Sequence, residues 1–261
     1  MVEPDEVENP LSGGDVTDGI VRVGDTVRRP MGPHSNLVHR VLRHLEEAGV
    51  EGAPRFLGID AAGREILSFV EGDVAGRPWP SWVGDLERGL SVARLVRRLD
   101  DAMVPFGVPA DAPSRPGPPA TFMGHRDITP ENTVFTGGVA HALIDWDLVK
   151  PSSRVEEVAN LLLWWAGWMA PEDRDPVFDG VDPAERGRAL VDAYGLGEED
   201  RVWVVPVSIA MADRSWHTMK DAAERRGGGW RRMWDDGVGD VIRRRGRWLR
   251  AEQAALHRAL T

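Results

Sequence analysis

Cysteine is absent from the 261-residue chain. That excludes disulfides, thiolate metal sites and a cysteine nucleophile, and it suits a reducing compartment, so the cytoplasm is the expected location. Lysine is nearly absent as well. Lys150 and Lys220 are the only two, and arginine supplies the rest of the 32 basic residues. No run approaches the ~18 apolar residues of a membrane span. The longest apolar stretch, "LLLWWAGWMA" at 161–170, is short enough for a buried helix. The opening residues, "MVEPDEVENP", are acidic and polar and do not have the pattern of a signal peptide.

What is present fits a globular protein. The length suffices for one large domain or two modest lobes, and 42% hydrophobic residues is an ordinary content. A net charge of −10 argues against nonspecific nucleic-acid binding. It reads first as solubility and would also suit a cationic small substrate. The charge is uneven: residues 220–261 carry about five net positive charges, which leaves roughly −15 for the remainder. The basic tail "RRRGRWLRAEQAALHRAL" has helical spacing, with Trp248, Leu249, Ala254, Leu256 and Leu260 at its apolar positions. A solvated helix face accounts for it better than a nucleic-acid arm.

Periodicity divides the chain in two. Residues 1–12 are expected to be a disordered lead-in. "GIVRVGDTVRRP" predicts a hairpin turning at Gly24–Asp25. "HSNLVHRVLRHLEEAG" predicts an amphipathic helix, and "RFLGID" with "REILSFV" a second hairpin. Residues 13–72 thus form a small β-rich lobe, with a boundary near Gly72 to Gly76. Residues 73–261 are mainly helical, with a Pro-rich connector "VPADAPSRPGPPA" before one further hairpin, "NTVF-TGG-VAHALIDW". Clefts between lobes are preferred ligand sites.

That hairpin is framed by chemistry. "GHRDITPENTVF" places Asp127 five residues before Asn132, and the partner strand ends at Asp145. A hairpin brings Asn132 close to Asp145. Carboxylate and amide oxygens of this kind suit Mg²⁺, and a nearby Asp can orient a hydroxyl and take its proton.

"HRDITPEN" followed by "LIDWD" resembles the catalytic loop and metal-binding segment of the aminoglycoside phosphotransferase family, relatives of choline kinase and of the protein kinases. The resemblance runs from about Gly13 to about Trp168. It implies a two-lobed, protein-kinase-like α+β fold and transfer of the γ-phosphate of ATP or GTP, with Mg²⁺, to a hydroxyl of a small molecule. It implies that Asp127 is the catalytic base and that Asn132 and Asp145 hold metal. His125 would brace the loop, Asp147 would assist metal or substrate, and Glu157 would stand where the family has an Asp that braces the loop from a helix. "LSFVEG" resembles the hinge, so the adenine edge would meet the backbone of Ser68 and Val70 with Leu67 behind it. Acceptor sites in this fold lie beside C-terminal helices. Trp164 and Trp168, one turn apart on a predicted helix, are the acceptor candidates, with Asp173, Asp175, Asp179, Asp213 and Asp221 as acidic groups.

The sequence departs from the family in the first lobe. The family's strand lysine contacts the phosphates and pairs with a helix Glu. No lysine precedes Lys150, and the helix from His34 to His44 has no acid. Arg28 stands at the lysine position with Arg29 beside it. Strand alternation sends the two to opposite faces, so one of them points into the cleft; Arg28 is the expected phosphate cation. Two function classes stay open: an active phosphotransferase using Arg28, or a catalytically weak, kinase-shaped relative that binds a ligand or partner. Some bacterial immunity proteins against peptide toxins resemble this family, which gives the second class substance. No protein partner is identifiable.

Overall fold

The structure, a computed structural model, describes residues 7–11, 19–113 and 119–261. Residues 1–6 of the expected lead-in, residues 12–18 and part of the Pro-rich connector lie outside the described residues. The first lobe is one antiparallel sheet with a helix. Its strands are β1 (Asn9–Pro10), β2 (Val21–Val23), β3 (Thr26–Pro30), β4 (Phe56–Ile59) and β5 (Arg64–Ser68), in the order β1-β2-β3-β5-β4. The helix α1 (Ser35–Glu47) lies between β3 and β4 in the chain. Strand β1 falls within the expected lead-in, where Asn9 pairs with Arg22 and Pro10 with Val21.

Each element follows from its side chains. The β2–β3 turn needs a left-handed residue, and Gly24 supplies it at φ 57°. In α1, Leu37, Val38, Val41, Leu42 and Leu45 recur at three- and four-residue spacing and are buried on one stripe. The chain leaves this lobe through Gly72, whose φ of 147° only glycine adopts readily and where a Cβ would lie 2.5 Å from the Phe135 carbonyl. Immediately after it, Asp73 and Phe135 exchange two backbone hydrogen bonds of 2.8 Å, which fasten the connection to the second lobe.

The second lobe holds α2 (Leu86–Met103), β6 (Phe122–Gly124), β7 (Thr133–Thr136), β8 (Val139–Leu143), β9 (Lys150–Ser152), α3 (Arg154–Trp165), α4 (Pro183–Tyr194), α5 (Glu198–Arg226), α6 (Gly228–Asp235), α7 (Val238–Ala251) and α8 (Gln253–Leu260). The β7–β8 hairpin is the one the sequence predicts. The β6–β9 pair is not predicted by local pattern, because its three-residue strands are far apart in the chain. Helix α2 packs on α4 and β8, and α5 packs on α3, α6 and α7. Phe122, Met123, Ile128, Leu143, Leu161, Leu162 and Trp165 are buried together in the core under the 125–132 loop. Burial of such side chains, at about 25 cal/mol per Å², is what makes this floor rigid. The basic tail is two helices that break at Glu252, with Leu249, Leu256 and Leu260 buried.

Candidate functional site

The site lies where the 125–132 loop, the end of β8 and strand β3 converge. Its floor is built on His125. The ring is buried, packs edge-on against Trp146 at 4.6 Å, and makes a 3.0 Å hydrogen bond from Nε2 to the Ile144 carbonyl. A carbonyl only accepts, so Nε2 carries the proton, and Nδ1 accepts the Asp127 amide at 3.3 Å. Burial pushes the His125 pKa down to about 4, which keeps this neutral tautomer in place. His125 therefore joins the Asp127 backbone to the segment that leads from β8 to Asp145.

Helix α3 holds the same loop from below. Asn160 Oδ1 accepts the Ile128 amide at 2.8 Å, and Trp165 Nε1 donates to the Ile128 carbonyl at 2.9 Å. Glu157 is fully buried and accepts from Ser152 Oγ at 2.6 Å and from the Arg126 amide at 3.2 Å. Burial raises its pKa, against the lowering effect of Arg126. Gly124 is required beside it, since a Cβ there would lie 2.2 Å from Glu157 Oε1. Arg126 (φ 68°) and Asp145 (φ 60°) are the only non-glycine residues with positive φ among the described residues, one within the 125–132 loop and one after β8. Such backbone conformations persist only where neighbours enforce them, and they cluster at functional sites.

Asp127 and Asn132 face each other. The amide nitrogen of Asn132 donates to Asp127 Oδ2 at 2.8 Å and to the Asp127 carbonyl at 3.2 Å. This orientation turns the Asn132 side-chain oxygen away from Asp127 and leaves Asp127 Oδ1 without a protein partner among the described residues. Burial, then the charge of Asp145, pushes the Asp127 pKa up to about 7, while the Asn132 hydrogen bond opposes the rise. Asp145 follows directly in space, because the Ile144 amide donates to the Asn132 carbonyl at 2.9 Å.

The cation opposite these groups is Arg29. Its Nη1 donates to Asp145 Oδ1 at 3.0 Å, its Nη2 to Asp147 Oδ1 at 2.5 Å and its Nε to Glu65 Oε1 at 2.6 Å. The expected Arg28 is on the other side of the sheet. Arg29 is paired in register with Glu65 and Arg28 with Ile66, and the charge of Arg28 is felt at Glu8 instead. The reason is the pleat: adjacent residues alternate faces, and the buried face of β5 carries Glu65 and Leu67. The acid that the stretch from His34 to His44 lacks is supplied by Glu65 of β5. Arg29 is a buried guanidinium whose protonated form is held well above its ordinary range by Asp147, Glu65 and Asp145, although burial opposes this. Three carboxylates around one guanidinium leave surplus negative charge. Burial raises the Asp147 pKa while Arg29 lowers it.

This donor set fits a divalent cation of the Mg²⁺ type. The Asn132 amide oxygen and the Asp145 carboxylate are hard oxygen ligands beside an uncompensated negative charge. Among the described residues no group of three or more His, Asp or Glu could cage a metal by itself. Mg²⁺ commonly takes one or two carboxylates, with the other positions filled by phosphates and water.

Leu67, Ser68 and Val70 are the residues expected at the hinge. Leu67 is buried on the Arg29 face of the sheet. The Ser68 amide donates to the Arg55 carbonyl at 2.9 Å, so it is already used within the fold. The Val70 amide makes no hydrogen bond among the described residues. Trp164 and Trp168 do not share a helix face. Helix α3 stops at Trp165, and Gly167 (φ 67°) reverses the chain before Trp168. Trp168 is fully buried, donates to the Pro183 carbonyl at 2.9 Å and packs on Gly187, so it belongs to the core. Trp164 is half-buried and lies edge-on to Trp79 at 6.3 Å. Asp173 and Asp213 are paired with Arg244 and Arg250, and Asp175 caps the Val177 amide.

Sequence reasoning preferred Arg28 to Arg29 and passed over Glu65, Asn160 and the hold of Trp165 on the loop. A cross-strand register would have paired Arg29 with Glu65. Asn160, three residues after Glu157 on a helix, was open to the same reading as Glu157.

The chain is similar to known proteins in sequence and in fold. The model of the phosphotransferase enzyme family APH matches residues 85–201. The trifolitoxin immunity protein of Rhizobium leguminosarum bv. trifolii is 33% identical over 226 residues, covering 82% of this chain and 82% of that protein. The choline/ethanolamine kinase family protein from Mesorhizobium loti superposes with a TM-score of 0.61 at 16% identity, over 98% of this chain and 92% of that one. The ADP-bound aminoglycoside phosphotransferase APH(2'')-Ib does so with a TM-score of 0.57 at 12% identity, over 92% and 93%. With its two-lobed kinase-like fold and the Asp127–Asn132–Asp145 floor, the chain belongs to the APH phosphotransferase family.

Proposed function

We propose that this protein transfers the γ-phosphate of ATP or GTP to a hydroxyl of a small molecule, with Mg²⁺. One observation carries the reading. Asn132 uses its amide nitrogen on Asp127, which leaves its side-chain oxygen out of that bond, and the backbone bond from Ile144 to Asn132 sets Asp145, with Arg29 on it, beside this pair. A polar turn with only a structural role does not require this orientation.

Asn132 and Asp145 would hold the metal, which supplies charge neutralisation for the phosphate oxygens when bound. Arg29 uses three of its five N–H groups on carboxylates. Its two remaining donors are available for phosphate oxygens. Asp127 orients the acceptor hydroxyl and takes its proton at Oδ1. The acceptor oxygen forms a bond to the γ-phosphorus as the bond from that phosphorus to the β–γ bridging oxygen breaks. A carboxylate with a pKa near 7 is a better base at neutral pH than an ordinary Asp. His125, Asn160, Trp165 and Glu157 keep the loop in place, and Leu67 with the Val70 backbone would receive the base of the nucleotide. The proposed setting is the cytoplasm, where nucleoside triphosphates are abundant. No helix among the described residues is long and apolar enough to cross a membrane.

A second reading has its own support. The relative that is 33% identical is an immunity protein, and this chain replaces the usual lysine with an arginine. On that reading the fold binds a toxic peptide or its precursor without transferring phosphate. Calorimetric titration with ATP or GTP, with and without Mg²⁺, separates the two. Mg²⁺-dependent binding that is lost in Asp145→Ala supports the phosphotransferase, and a wild-type protein that binds neither nucleotide rejects it.

A further inference from the structure

The buried guanidinium of Arg29 is held by a relay that reaches α1. Arg29 on β3 and Glu65 on β5 are direct cross-strand partners, which puts both side chains on the cleft face. Glu65 is fully buried, and each of its oxygens has one partner. Oε1 accepts from Arg29 Nε at 2.6 Å, and Oε2 lies 2.5 Å from His39 Nε2. A carboxylate only accepts, so His39 donates. His39 is buried in the middle of α1, its ring stacked on Phe56 of β4 at 3.7 Å.

These contacts fix geometry in sequence. Asp145 and Asp147 alone would leave the guanidinium held only by two half-exposed carboxylates. The bond at Nε fixes its plane. Glu65 in turn could rotate, and the His39 donor removes that freedom. Helix α1 is thus coupled to the cleft cation by a histidine, and the acid between them comes from the sheet.

Resting on the phosphotransferase reading, we infer that His39 and Glu65 are positioning residues that set Arg29 for the phosphates of the nucleotide. His39→Phe keeps a ring on Phe56 and removes the donor. His39→Gln removes the ring and returns an N–H donor to a similar place. Two readouts are taken for wild type and both variants: MgATP affinity by calorimetry, and solvent exchange of the Arg29 Nε–H by ¹⁵N NMR in the ligand-free protein.

His39→Phe is expected to weaken MgATP binding about tenfold, the order for a hydrogen bond to a charged group, and to speed Nε–H exchange. His39→Gln is expected to stay within about threefold of wild type, under 1 kcal/mol, and to keep the slow exchange. If His39→Phe fails to fold, His39→Gln alone decides, since a tenfold loss with fast exchange there overturns the relay. A folded His39→Phe with wild-type exchange and affinity overturns it too. Should wild type bind no MgATP, the phosphotransferase reading fails by itself, and the NMR exchange still decides whether His39 orders Arg29.

Discussion

Arg29 Nη1 lies 3.0 Å from Asp145 Oδ1 across 116 residues of sequence, and it joins the two lobes at the candidate metal site. Arg29 is held on its other side by Glu65, so one side chain ties the sheet to the floor of the candidate site.

Arg29→Ala leaves Glu65 buried without its cation. It is expected to lower stability by about 3 kcal/mol, the order for breaking a buried pair. Nucleotide affinity should fall with it. Arg28→Ala should have the smaller effect on nucleotide affinity, since Arg28 is on the opposite face. Thermal melts and MgATP titrations of both variants check this, and the reverse ranking would return the phosphate role to Arg28.

Asp127→Asn keeps the shape and an oxygen for the Asn132 amide but removes the base. The expected result is MgATP binding close to wild type and phosphate transfer slower by about a hundredfold or more. A variant that binds less nucleotide but transfers at the wild-type rate would place Asp127 among the binding groups. A coupled assay with an acceptor panel reads the rate.

Asn160→Leu removes the acceptor for the buried Ile128 amide, which costs on the order of 1–3 kcal/mol when left unpaired. The loop that carries Asp127 should loosen. The turnover rate is therefore expected to drop more than nucleotide affinity, whereas equal losses in both would make Asn160 a general stability residue.

His125 gives stability a pH dependence. Its folded pKa is lowered to about 4 from 6.5, so below pH 6.5 the unfolded chain takes up a proton that the folded state refuses. Its contribution is complete above pH 6.5 and declines as pH falls towards about 4. The span is roughly 3 kcal/mol. Denaturation of wild type and His125→Gln at pH 7.5 and pH 5 tests this, because the loss between the two pH values should be smaller in the variant.

Much of the first lobe and the floor of the candidate site was legible locally. Asp127, Asn132 and Asp145 lie on one loop and one hairpin, and local spacing alone places them together. The two hairpins and α1 follow from short-range periodicity and turn glycines. Trp168 was misplaced for a local reason as well. Apolar spacing continues past Trp165, and only the glycine at 167, with its reversed backbone, ends the helix.

The sequence by itself determined the fold class, the order of the elements and the floor of the site, because each depends on residues close in the chain. The tertiary structure decided which arginine enters the cleft and what holds it. That choice depends on the register of β3 against β5 and on the packing of α1 over β4, contacts between segments tens of residues apart. Alternation along a strand states that Arg28 and Arg29 point in opposite directions, and only the assembled sheet states which direction faces Asp145.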